Sequence, residues 1–279
     1  MKLIFDIGFN KGSFTEICFN KHPNCKVVAV EANPKLIDSG KDKFKYNNNF
    51  TLLNNLVSNL NDESTNFYIC DYADGVSTAS LNFIKNSRFT KGSKNLEVNS
   101  VSWADPIKVT SITLDNLISQ YGEPDLIKID VQGYEDEIIK HGKQTIKDTL
   151  VLQIELSPVP SYEGGKPFGH ITNELESLNF HLHQFSKIET RSFKPTVIGG
   201  NSKWGLHYIY QLDCVFIKNF DEIENFSLND LLKLSYIMYY GFNAFDFVDF
   251  LFQIIDKKYN KNYLNDFRKS ILEFKVNKT

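Results

Sequence analysis

The stretch FDIGFNKGSF, residues 5–14, sets two glycines and an asparagine directly after the apolar run Leu3 to Ile7. This order reads as strand, turn and helix: the apolar run belongs in a sheet, and the glycines let the backbone bend sharply into a helix start. Such a turn brings backbone N–H groups and a helix N-terminus close to whatever lies against it. Further on, VVAVEANP (27–34) ends a second β-branched run with Glu31. A carboxylate at the tip of the second strand is placed to accept hydrogen bonds from ribose hydroxyls. Turn and acid together point to a nucleoside.

Outward from this pair, apolar β-branched runs alternate with amphipathic stretches, the pattern of a parallel sheet wrapped by helices. Strands are expected at Leu3 to Ile7, Lys26 to Val30, Thr51 to Val57, Leu126 to Ile129, Leu150 to Ile154 and Leu212 to Ile217. The helix TLDNLISQYG (113–122) carries Thr113 as its cap and Gly122 as its stop, and leads into the strand PDLIKID (124–130). From about Asn59 to Val109 the pattern loosens into extended pieces, STNFYIC and PIKVTSI, and reads as an insertion. Its polar stretch KNSRFTKGSK (85–94) repeats Lys85, Arg88, Lys91 and Lys94 at every third position, a solvated loop or a set of cations for a phosphorylated substrate. After Ile217 only helical texture follows. FSLNDLLKLSYIMYYGF (226–242) opens with the capping-box pair Ser227 and Asp230, with Gly241 as its expected end. FNAFDFVDFLFQIIDKKY (242–259) is rich in Phe; Asp246 and Asp249 interrupt it, so it reads as core packing or a partner interface and not as a membrane span.

Bulk composition narrows the function classes. A chain of 279 residues, 42% hydrophobic with a net charge of -3, buries a sizeable core and lacks the positive excess of a nucleic-acid binder. Cys18, Cys25, Cys70 and Cys214 are scattered, with neither zinc-site spacing nor disulfide density, and are expected as reduced, buried thiols. The opening MKLIFDIG has too short an apolar stretch for a signal peptide, so a cytoplasmic location is expected.

Spacing within the first turn then discriminates between nucleosides. A dinucleotide fold needs G-x-G-x-x-G to seat a pyrophosphate, and this chain does not have it. Asp6, Gly8, Asn10 and Gly12 instead stand at alternate positions, which resembles motif I of the class I S-adenosylmethionine-dependent methyltransferases. A second constellation, DLIKIDVQGYEDEIIKHG (125–142), reads as a buried strand that delivers Asp130 to its carboxyl end, a turn at Gly133 and a helix with Glu135, Ile138 and Ile139. Ligands bind at that edge of open α/β sheets, so Asp130 is aimed at the crevice of Gly8 and Glu31.

With VTSITLDNLI (109–118), VLQIELSP (151–158) and QLDCVFIKN (211–219) following in order, the chain resembles the FkbM family of methyltransferases over roughly residues 1–219. The resemblance implies a Rossmann-like class I methyltransferase fold, α/β with a mostly parallel seven-stranded sheet flanked by helices. Residues 220–279 are then a helical C-terminal extension, a candidate surface for homo-oligomerisation. It also implies O-methylation of a hydroxyl on a sugar, polysaccharide or glycolipid, free or carried on a nucleotide or lipid. The chain starts directly in its first strand, without the N-terminal helices that often help close the cofactor pocket, so the insertion or the C-terminal helices are the candidate cover.

On this reading Asp6, Gly8, Asn10, Gly12, Glu31 and Asp130 hold S-adenosylmethionine, with Asn55 and Val57, in LLNNLVSNLND (52–62), near the adenine. Ser77 and Ser80, in DGVSTASL (74–81), resemble the family's loop beside the active site. Methyl transfer to a hydroxyl needs a proton acceptor near the donor. Asp130 meets that placement, Glu155 is its sheet neighbour, and His170 in GGKPFGHIT (164–172) is a second candidate base. The two carboxylates act directly or hold a divalent cation. A nicotinamide-dependent oxidoreductase and a non-catalytic binding protein on the same fold are the alternatives.

Overall fold

The computed structural model describes residues 2–70, 74–86, 103–160, 165–191 and 208–276. In chain order the elements are β1 (Leu3–Ile7), α1 (Ser13–Lys21), β2 (Lys26–Val30), α2 (Ile37–Lys43), β3 (Phe50–Leu53), β4 (Leu56–Val57), β5 (Ser64–Phe67) and α3 (Leu81–Asn86). There follow β6 (Ile107–Ile112), α4 (Leu114–Tyr121), β7 (Leu126–Ile129), α5 (Glu135–His141), α6 (Lys143–Asp148), β8 (Val151–Leu156) and α7 (Phe168–Glu176). The chain closes with β9 (Phe180–Arg191), β10 (Tyr208–Lys218), α8 (Phe220–Asn225), α9 (Leu228–Phe242), α10 (Phe245–Tyr259) and α11 (Tyr263–Val276).

Seven strands form one sheet in the order β3-β2-β1-β7-β8-β10-β9, in which β10 alone runs antiparallel to its neighbours. The chain winds outward from β1 through β2 and β3, then returns to lay β7 and β8 on the other side of β1. The crevice at this reversal, outside the carboxyl ends of β1 and β7, is where open α/β sheets bind ligands. β1 and β7 are buried along their whole length, which is why they read as nearly continuous apolar runs. Each run contains one charge, Asp6 in β1 and Lys128 in β7, and the register sets these two side by side.

One face of the sheet packs Phe5, Ile127, Ile129, Leu152 and Ile154 against α4 to α7. The other packs Ile4, Val27, Leu126, Val151 and Ile217 against α1, α2, α9 and α10. Leu231, Leu234, Ile237 and Met238 of α9 and Val248, Leu251 and Ile255 of α10 are fully buried there, each contributing about 1.5–3 kcal/mol of transfer free energy. The Phe-rich helix thus packs into the core. Lys233 of α9 adds an ion pair to Asp125 at the start of β7, with Nζ to Oδ1 2.8 Å.

Several expectations need amendment. The single strand expected over Thr51 to Val57 is two, because Asn54 leaves the ladder and its Nδ2 donates to the carbonyls of Glu31 (2.9 Å) and Ala32 (3.3 Å). β4 pairs instead with β6 in a three-stranded sheet, β4-β6-β5, with a small core of Leu56, Phe67, Ile69 and Val109. α9 does not end at Gly241; it runs to Phe242 and stops at Asn243, whose φ of 53° is the left-handed conformation that asparagine tolerates. Its start is as expected, with Ser227 Oγ accepting from the Asp230 N–H at 3.2 Å. Cys18, Cys25, Cys70 and Cys214 are free and buried. Of the repeated cations, Arg88, Lys91 and Lys94 lie outside the described residues. Among the described residues no helix is long and apolar enough to cross a membrane.

Candidate active site

The turn after β1 is built by alternating left-handed residues: Gly8 (φ 84°), Asn10 (φ 50°) and Gly12 (φ 73°). Asparagine substitutes for glycine at the middle position because its short polar side chain tolerates this region. Gly8 is demanded twice over, since a Cβ there would lie 1.9 Å from the carbonyl oxygen of Asp130. The tips of β1 and β7 therefore touch through backbone. Gly12 starts α1 without a side-chain cap, and Thr15 in the first turn of α1 donates its hydroxyl to Asp6 Oδ2 at 2.7 Å.

Glu31 closes the β2 side of the crevice. Its Oε2 accepts the N–H of Asn10 and its Oε1 that of Asn33, both at 2.7 Å. Burial raises its pKa, and these two amides oppose the rise. Asn10 Oδ1 and Asn33 Nδ2 are buried here without hydrogen-bond partners. An acid, an unmet acceptor and an unmet donor thus belong to residues joined through Glu31, and unmet buried groups of both kinds suit a ligand carrying both hydroxyls and hydrogen-bond acceptors. Asn55 and Val57 are differently placed. Asn55 is half-buried and donates Nδ2 to the Thr110 carbonyl at 3.2 Å, while the Val57 side chain is packed in the core.

Lys128, absent from the sequence-based candidates, ties the two strand tips together. Its Nζ donates to the Gly8 carbonyl at 2.7 Å and lies 3.5 Å from Asp6 Oδ1 and 3.4 Å from Asp130 Oδ2. Burial works against its charge, but Asp130 and Asp6 outweigh that and hold its pKa above the usual lysine value. Burial raises the Asp6 carboxyl, with Lys128 and Thr15 opposing. A signal for Lys128 did exist: a lysine inside a strand buried on both faces requires a carboxylate partner.

On the β8 side of the crevice, Asp130 at the end of β7 and Glu155 in β8 are bridged by one side chain. Gln132 Nε2 donates to Asp130 Oδ1 at 2.8 Å and to Glu155 Oε2 at 2.7 Å, and Gln211 Nε2 adds a bond to the same Glu155 oxygen at 2.9 Å. Burial pushes the Glu155 carboxyl well up, with Asp130, Glu135 and Asp213 adding to it. Glu135 braces the turn, its carboxylate accepting the N–H groups of Val131 (3.1 Å) and Gly133 (2.9 Å). Burial raises its pKa to about 7. A cleft beside this pair is lined by Phe83, Gln132, Glu135, Asp136, Glu155, Lys166, Ile171 and Gln211. Neither glutamine carried a local signal, since the bond each makes to Glu155 joins residues distant in sequence.

His170 is placed in the first turn of α7, not in a loop, and is exposed, with Nε2 3.8 Å from Glu174 Oε1. It does not line the cleft, whereas its neighbour Ile171 does. Ser77 and Ser80 shape their own loop, accepting the N–H groups of Cys70 and Phe83, both at 3.1 Å. The contact to the site comes from Thr78 between them, whose hydroxyl donates to the Gln132 carbonyl at 2.8 Å. For a divalent cation the fit is poor: an amide N–H donor stands between the two carboxylates, and among the described residues no group of three or more His, Cys, Asp or Glu is arranged to hold a metal ion.

The strand order and the acid-and-glycine edge define a Rossmann-like class I methyltransferase, an enzyme class that uses S-adenosylmethionine. Residues 6–182 match the methyltransferase FkbM domain, and the chain belongs to that family. It is 27% identical over 179 residues to the 2-O-methyltransferase NoeI of Sinorhizobium fredii, an alignment covering 63% of this chain and 71% of that protein. Among solved structures it is similar to a TehB-like SAM-dependent methyltransferase from Corynebacterium glutamicum (15% identity, 78% and 80% of the two chains, TM-score 0.35). It is also similar to a precorrin-6y C5,15-methyltransferase from Geobacter metallireducens (13%, 77% and 76%, TM-score 0.36). The family match selects methyl transfer over the nicotinamide-dependent oxidation that the glycine turn and Glu31 also allow.

Proposed function

We propose that the chain methylates a hydroxyl of a sugar, polysaccharide or glycolipid, with the donor held at the tips of β1 and β2 and the acceptor in the cleft beside β7 and β8. The observation that carries this reading is the junction of the two halves: Gly8 and Asp130 meet through backbone at the switch point, and Lys128 bonds to both. The 2-O-methyltransferase activity in the name of NoeI supports oxygen as the accepting atom.

S-adenosylmethionine, when bound, supplies an electrophilic methyl group on a sulfonium. Glu31 would accept the ribose hydroxyls through its remaining lone pairs, with Asn10 Oδ1 and Asn33 Nδ2 satisfied by the same nucleoside. Asp6, Gly8, Asn10 and Gly12 would shape the methionine end of the site, and Asp130 lies where the two ligands meet. Asp130 is the proton acceptor for the reacting hydroxyl, and Glu155 orients that hydroxyl. The cleft is lined by Gln132, Glu135, Asp136, Glu155 and Gln211, a set of hydrogen-bonding side chains that suits a hydroxyl-rich acceptor.

Calorimetry with S-adenosylhomocysteine and with NAD, followed by transfer of labelled methyl from S-adenosylmethionine to a panel of glycans, tests this reading. Heat from the first ligand alone and label on a sugar oxygen are expected. Heat from NAD alone, or label appearing only on nitrogen or carbon, would overturn it.

A further inference from the structure

Neither the strand ends nor the glycine turn accounts for Gln132. Its φ of 57° is left-handed, and unlike asparagine, aspartate or histidine, glutamine is not enriched in that region. The surroundings hold it there: the buried Thr78 hydroxyl bonds to its carbonyl, and Glu135 binds the N–H groups on either side. Strain of this kind persists where neighbouring structure over-determines it, and it gathers at working sites. Its result here is that one amide nitrogen reaches carboxylates on two adjacent strands, Asp130 at 2.8 Å and Glu155 at 2.7 Å. The second Asp130 oxygen is left facing Lys128.

We propose that Gln132 is the positioning residue of the acceptor end: its amide binds Asp130 and Glu155 into one hydrogen-bonded unit and fixes the side of each carboxylate that meets the reacting hydroxyl. This rests on the methyl-transfer reading of the site. Glu155 is faced by Asp130 and Lys128 from the β7 side, Glu135 from α5, Asp213 from β10 and Lys187 from β9. Burial and the three acids favour its protonated form, and the Gln132 N–H favours the charged one. Removing the amide therefore moves the Glu155 titration upward.

Two variants separate this role from a purely structural one. Gln132→Gly removes the bridge while relieving the left-handed backbone, and Gln132→Met removes the amide but keeps the length. The measurement is an infrared titration of the full chain in the carboxyl-stretching region, with Glu155→Gln identifying the Glu155 signal. Both variants are expected to raise its midpoint by about one pH unit, the size of one lost hydrogen bond to a charged group. The thermal midpoint of Gln132→Gly should stay level or rise. A Glu155 midpoint that does not move in Gln132→Gly would overturn the proposal. Loss of the fold in that variant would overturn it equally, by making the side chain structural. No donor or acceptor is needed, so this result and the methyl-transfer reading can fail separately.

Discussion

The two ends of the crevice, proposed above to hold donor and acceptor, are built from different materials. The donor end, at the tips of β1 and β2, is mostly backbone: three left-handed residues, a carbonyl against Gly8, and amides that clasp Glu31. The acceptor end, at the tips of β7 and β8, is mostly side chain, with Asp130, Gln132, Glu155 and Gln211 bonded to one another. A site made of backbone tolerates almost no substitution, because a new Cβ has nowhere to go. A site made of side chains can be altered in chemistry while its shape survives.

The contrast is tested first at Asp130. Asp130→Asn keeps the shape and should lower turnover by about 10²- to 10⁴-fold while S-adenosylhomocysteine affinity, read by calorimetry, changes little. A parallel collapse of affinity would mean that the two ends are not separable. At Gly8 the opposite is expected. Gly8→Ala sets a Cβ against the Asp130 carbonyl at φ 84°, and denaturant unfolding should show about 3 kcal/mol or more of lost stability together with lost donor binding. A folded variant that binds the donor normally would break the comparison. Gly12→Ala should be destabilising but milder, because at φ 73° its Cβ meets the rings of Phe9 and Phe44 and not a backbone carbonyl.

Glu31→Gln sharpens the donor side. It turns an N–H donor toward an amide that now donates to Glu31, and donor affinity should fall about ten- to a hundredfold without loss of fold. Unchanged affinity would remove Glu31 from the site. Glu135 offers a pH test on the acceptor side. Its pKa is raised from 4.5 to about 7 in the folded chain, so between these values the native state holds a proton that the unfolded chain has released. Its stabilising contribution is full below pH 4.5 and is lost as the pH climbs through 7, with a slope of at most about 1.4 kcal/mol per pH unit. Wild-type stability relative to Glu135→Gln should therefore fall across that window; a flat difference would show that the carboxyl titrates normally. The smallest effect belongs outside both ends: Ser227→Ala should remove about 1 kcal/mol through the α9 cap and leave donor binding intact.

The two ends also differ in how far their sequence announces them. Gly8, Asn10, Gly12 and Glu31 stand out because each meets a local requirement, a left-handed φ or the end of an apolar strand. Asp130 stands out for the second reason. Lys128 could have been found from the cost of an unpaired charge inside LIKI, whereas Gln132 and Gln211 look like ordinary loop and strand polars. The break at Asn54 was hidden because its side chain bonds to carbonyls just beyond the end of β2, more than twenty residues away in sequence. Likewise, FNAFDFVDFLFQIIDKKY shows that an apolar face exists without showing that the face of β1, β2, β7 and β8 covers it.

By itself, then, the chain's order of residues determined the alternating α/β plan, the glycine-built turn and the acids at the strand tips, because these follow from periodicity and from what each backbone position permits. Only the tertiary structure decided which side chains bind one another: Lys128 with Asp6 and Asp130, and Gln132 and Gln211 with Glu155. Apart from Lys128 with Asp130, two residues along the same segment, such pairs join residues far apart in sequence, and strand register, a property of the assembled sheet, is what brings them within hydrogen-bonding distance.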